Sequence, residues 1–148
     1  MRKQLLFIIL CSTVLITNQV FSQADIVGGE DADIQDYPYQ VALGSSSNWG
    51  FSSYCGASII NEYWILTAAH CVSGESASNT AVRVGSDNDY AQGGDIYEAE
   101  QIISHENYSW SGNNWDIALI KLEDPISFNN NTQPVLLPCD QQVSLGVQ

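Results

Sequence analysis

The chain has 148 residues, a single-domain length, and 45% of them are apolar, enough for a sizeable core. Four Lys and Arg stand against 17 Asp and Glu, a net charge of −13. That charge excludes a nucleic-acid partner, whose phosphates it would repel.

Residues 1–22 read as a secretory signal peptide. Arg2 and Lys3 give a basic start, residues 5–16 are apolar, and Val20 and Ser22 are small enough to flank a cleavage site. The apolar run is shorter than the roughly 20 residues a membrane span needs. No later segment is apolar enough to cross a bilayer, so no membrane partner is expected once the signal is removed. The expected location is secreted and extracellular. Cleavage takes Arg2 and Lys3 with it and leaves Arg83 and Lys121 as the strong cations against all 17 acids. Gln23-Ala24-Asp25 is a stub too short to fold, a short propeptide at most.

From Pro38 onward, short β-rich apolar segments alternate with Gly, Ser, Asn and Asp. The pattern predicts strands at 39–43, 54–60, 64–67, 81–84, 96–104 and 117–122, with a last short one at 134–137. Two segments rich in turn formers, 44–50 and 108–115, are expected as loops. No stretch shows sustained helical periodicity. Short strands with polar turns indicate an all-β antiparallel barrel or sandwich. Asn107-Tyr108-Ser109 and Asn130-Asn131-Thr132 fit the N-glycosylation pattern and place both asparagines on the surface.

Two runs carry chemistry. Leu66-Thr67-Ala68-Ala69-His70-Cys71 sets a histidine on a turn directly after an apolar strand, and Asp116-Ile117-Ala118-Leu119-Ile120-Lys121-Leu122 opens a strand with a carboxylate. Histidine suits proton transfer because its pKa lies near neutrality. A carboxylate on its far ring nitrogen fixes the tautomer. His105, in Ser104-His105-Glu106-Asn107-Tyr108, reads as a surface histidine. His70, Cys71, His105 and Cys139 follow no zinc-site spacing, so no metal is expected, and no cofactor.

These two runs, with Ile26-Val27-Gly28-Gly29, Tyr37-Pro38-Tyr39-Gln40-Val41 and Cys55-Gly56-Ala57-Ser58-Ile59-Ile60, resemble the chymotrypsin-like (trypsin-like) serine protease family. The resemblance runs from about Ile26 to Pro138. It selects the antiparallel six-stranded barrel of that family, one of two barrels, so that 26–148 is the N-terminal part of a peptidase domain. It implies a secreted serine-type endopeptidase with His70 as general base, Asp116 as its orienting acid and Ile26 as the activated N-terminus. Protein or peptide substrates and protease inhibitors are the implied partners.

Of the four cysteines, Cys11 lies in the signal. Cys55 and Cys71 bracket the histidine strand and turn, and an oxidising compartment joins them, as the resemblance also implies. Cys139 is left over; in the family a cysteine near that place often pairs with one in the second half of the domain. The chain departs from the family in lacking a Gly-Asp-Ser-Gly-Gly turn with the nucleophilic serine and the oxyanion hole, so the expectation is an inactive, incomplete domain. It also has Asp25, not Lys or Arg, before Ile26. The alternative expectation is a non-catalytic one-barrel protease homologue acting as a binding module.

Overall fold

The computed structural model describes Gly29 and residues 32–87, 93–112 and 114–138. The signal peptide, the 23–25 stub, Ile26 and Cys139 lie outside the described residues. Six strands follow in chain order: β1 Gln40–Ser47, β2 Gly50–Ile59, β3 Trp64–Thr67, β4 Ala81–Val84, β5 Asp95–Ser104 and β6 Ala118–Leu122. A one-turn helix, α1 Ala69–Val72, follows β3, and a 3-10 turn, Ala77–Asn79, precedes β4. Every strand pair is antiparallel, in the order β1-β2-β3-β6-β5-β4, and β4 pairs with β1 to close a barrel. Within the ring each strand is paired with two neighbours, although β2 meets β3 only at Ser58 and Ile59.

The core follows from alternation. In β3 and β6 every second residue is buried, placing Ile65, Ile120 and Leu122 inside with Val41, Leu43, Ile59, Val82 and Val84. Each such side chain taken fully from water contributes about 1.5–3 kcal/mol. β4 is buried on both faces. Its Arg83 turns away from the core, and the guanidinium lies 5.1 Å from the Phe51 ring centroid in a cation–π contact.

Strands at 64–67 and 81–84 fall where the apolar pattern sets them. Two segments differ from expectation. The Ser-rich stretch 44–50 is not a loop: β1 and β2 continue through it as a hairpin whose turn residues are Asn48 and Trp49. Ser47 Oγ donates to the Gly50 carbonyl at 3.2 Å and accepts from Trp49 N at 3.2 Å, so serine closes the turn instead of opening the ladder. Conversely, 134–137 forms no strand. Gln133 N donates to Pro38 O and Val135 N to Ile59 O, but Pro134 and Pro138 have no N–H to extend a ladder.

Gly44 marks a register shift after Leu43, where β1 bends against β2. A Cβ there would stand 2.1 Å from the Ser52 carbonyl oxygen, which is backbone and cannot swing aside. Gly44→Ala is therefore expected to destabilise the fold by about 1–3 kcal/mol through overpacking. A urea midpoint equal to that of the parent would show that the bulge relaxes freely.

Candidate active site

The site is set by strand register. β3 pairs with β6 so that Thr67 lies opposite Ala118. The chain leaving β3 and the chain arriving at β6 thus emerge at the same end of an antiparallel pair. His70 is three residues past Thr67 and Asp116 two before Ala118, so the pairing brings them together across 46 residues of sequence.

Asp116 grips both the backbone and the ring of His70. One carboxylate oxygen, Oδ1, accepts from His70 N at 2.8 Å, and Oδ2 lies 2.7 Å from Nδ1. The short second distance is that of a charge-assisted hydrogen bond. With Nδ1–H donated to the carboxylate, the neutral ring carries its lone pair on Nε2. That nitrogen can take a proton from a hydroxyl and return it, and the carboxylate stabilises the imidazolium formed in between. His70 keeps 54% of its side chain exposed, so Nε2 is within reach of an incoming group.

The support beneath the histidine is rigid. Ala69 and Val72 anchor α1 in the core, and Cys71 N donates to Ala68 O. Thr67 Oγ1 donates to the Gly56 carbonyl at 3.0 Å, tying the end of β3 to β2. Cys71 is joined to Cys55 on β2 in a disulfide with a Cα–Cα distance of 6.1 Å, the pair expected from the sequence. Its Cys71 sulfur lies 3.4 Å from His70 Nε2.

Behind the aspartate stands an arrangement that sequence reasoning missed. Trp115 has φ +60°, a left-handed conformation rare for so large a residue, and Ile117 N donates to its carbonyl at 2.8 Å. This three-residue turn carries Asp116 at its centre. The Trp115 ring stacks on His105, centroids 4.6 Å apart and planes 14° from parallel. His105 Nδ1 accepts from Asn107 N at 3.1 Å, and His105 N donates to Ile117 O at 3.0 Å. The half-exposed His105, read from the sequence as a surface residue, also extends the β5–β6 pairing through its backbone. Burial, and secondarily the negative charge of Asp116, push the Tyr108 phenol pKa up. No sequence signal marks Trp115, since tryptophan does not favour the left-handed region.

The hydrogen bond from the His70 ring, followed by that from the His70 backbone, holds the Asp116 carboxyl below its ordinary pKa. A group depressed on folding adds stability that is fully present above its unfolded value, about 3.9. That stability is lost as pH falls through the folded value. Asp116→Asn is expected to remove this acid-side term. Urea unfolding at about pH 5 and about pH 3 should show a smaller loss in the variant than in the parent. Equal losses would mean that the carboxylate does not sense His70 in solution.

Residues 26–148 match the profile of the family described as Trypsin. The chain belongs to the trypsin family. It is 35% identical over 121 residues to Trypsin 5G1 of Aedes aegypti, a match covering 82% of this chain and 44% of that protein. It is 41% identical over 115 residues to a trypsin of Simulium vittatum, covering 76% and 45%. The chain thus spans a little under half the length of these trypsins. In trypsin-family terms the described residues bring His70 and Asp116 into contact, while Ile26 and Cys139 lie outside them.

Proposed function

We propose that residues 26–148 are the first barrel of a secreted serine endopeptidase, with His70 as general base and Asp116 as the carboxylate that orients it. The observation that carries this is the double grip of Asp116 on His70, in a chain of the trypsin family. The pair selects the tautomer with its lone pair on Nε2, on a ring that is half exposed, which is what activating a serine hydroxyl requires. Residues 1–22 act as the signal peptide and 23–25 as a stub whose removal frees Ile26. The Cys55–Cys71 bridge supports export, since such bonds persist in oxidising compartments.

The nucleophile and oxyanion hole come from outside residues 26–148, which on their own hydrolyse nothing. Relatives more than twice as long as the matched region support this division. Protein substrates and protease inhibitors are the partners of the complete domain.

Reading the transcript beyond the codon for Gln148 tests the proposal. A Gly-Asp-Ser-Gly-Gly turn and a second barrel are expected, with the encoded protein reacting with a fluorophosphonate probe and residues 26–148 alone not reacting. A stop codon at that point would overturn the enzyme reading and favour the one-barrel binding module.

A further inference from the structure

We infer that Asn130 carries an N-linked glycan and that the Phe128 ring is the platform on which its first sugar rests. The pattern Asn130-Asn131-Thr132 by itself makes the segment only a candidate. The fold adds a presentation. Asn129 N donates to Thr132 O at 3.0 Å and Thr132 N to Asn129 O at 3.2 Å, closing a turn with Asn130 at its tip. Asn131 N donates to Asn129 Oδ1 at 2.8 Å, and Gln133 Nε2 donates to the Asn129 carbonyl at 2.8 Å. Asn129 therefore folds the turn, while the exposed Asn130 side chain takes no part in these bonds.

A second observation points to the sugar. Phe128, two residues before Asn130, stands 41% exposed, although a phenyl ring gains by leaving water. Two residues span at most about 7 Å, so a sugar on Asn130 Nδ2 lies within reach of that ring. A pyranose presents a face of C–H groups, which suits the electron-rich face of an aromatic ring. The other pattern, Asn107-Tyr108-Ser109, lacks this arrangement. Two residues before Asn107 stands His105, whose ring is already stacked on Trp115.

Thr132 sets when the sugar is added. It is 1% exposed, and a Cβ on Gly85 would stand 2.7 Å from its Oγ1. The acceptor pattern requires that hydroxyl, so transfer precedes closure of the barrel. The donor is an oligosaccharide carried on a lipid diphosphate. The bond from sugar C1 to Asn130 Nδ2 forms as the bond from C1 to the diphosphate oxygen breaks. The lipid diphosphate leaves, and one amide proton passes to solvent. This chemistry belongs to the secretory route, so the inference rests on the reading of residues 1–22 as a signal peptide.

The test expresses the complete encoded protein in a secreting eukaryotic cell, once with residues 1–22 and once with an established leader in their place. The exported protein is treated with peptide N-glycosidase in heavy-oxygen water, which turns a glycosylated asparagine into a labelled aspartate. Peptide mass spectrometry is expected to find the label at position 130. Unlabelled Asn130 in exported protein would overturn the inference. Export with the substituted leader alone would overturn the signal reading instead, and the label at 130 is then read on that protein. Asn130→Gln is expected to lower Tm by about 2–4 °C, whereas trimming the parent's glycan to its first sugar leaves Tm unchanged. In a Phe128→Ala background the effect of Asn130→Gln should vanish, since the cycle isolates the contact between ring and sugar. Asn107→Gln, the control, is expected to leave Tm unaltered. An Asn130→Gln effect that survives Phe128→Ala in full would overturn the role of Phe128.

Discussion

In the complete protease proposed above, His70→Ala is expected to lower kcat for peptide hydrolysis by about a millionfold while leaving KM nearly unchanged. The reason lies in where the histidine acts. Substrate binding does not use the imidazole lone pair, whereas the barrier to serine attack depends on a base that takes the hydroxyl proton as the bond forms. Asp116→Asn in the same protein is expected to cost less, about ten-thousandfold, the size this change has in a protease of the same family. The amide still reaches Nδ1 but as easily presents N–H to it, which favours the tautomer with the proton on Nε2. That form cannot accept the serine proton. Kinetics on a chromogenic peptide with both variants check the pair. A His70→Ala loss below tenfold would remove His70 from the chemistry. An Asp116→Asn loss equal to that of His70→Ala would mean that the carboxylate does more than orient the ring.

Replacing both Cys55 and Cys71 with Ala is expected to destabilise the barrel by about 3 kcal/mol, the entropic effect of closing a loop of this length. The two cysteines are 16 residues apart, and the segment between them holds β3 and the first half of α1. Without the bond the unfolded chain gains freedom, and α1 is held by the burial of Ala69 and Val72 and by the two hydrogen bonds between His70 and Asp116. For a domain near 100 residues this corresponds to a Tm lower by roughly 10–20 °C. Differential scanning calorimetry of the double variant against the parent measures it. A shift under about 2 °C would show that packing and these hydrogen bonds hold the histidine turn.

Much of the barrel is legible in the sequence because strand identity is a local property. Trp64-Ile65-Leu66-Thr67 and Ala81-Val82-Arg83-Val84 form strands as their pattern predicts, since β-branched and aromatic residues pack well on a pleated surface. Serine and glycine in 44–50 misled for the same reason. Their local preference is for turns, yet pairing with the opposite arm of the hairpin overrides it once β2 is in place. The exposed Leu136 shows the converse, an apolar residue in a segment that Pro134 and Pro138 keep out of any ladder.

The sequence by itself marked His70 and Asp116 as the candidates for the chemistry and located most of the strands. His70 and Asp116 stand in runs whose apolar alternation and flanking residues are specific, and Cys55 and Cys71 bracket the first of them. Tertiary structure alone decided how they meet. Nothing local in either run states that Thr67 lies opposite Ala118, and a slip of one residue would turn every side chain of β6 to the other face. That register is fixed by Ile65, Ile120 and Leu122 packing in one core. It sets the 2.7 Å between Nδ1 and Oδ2, the left-handed turn at Trp115 and the sulfur beside Nε2. Alternation along a strand records which face is buried but not which partner buries it, so pairing distant segments is left to the packed core.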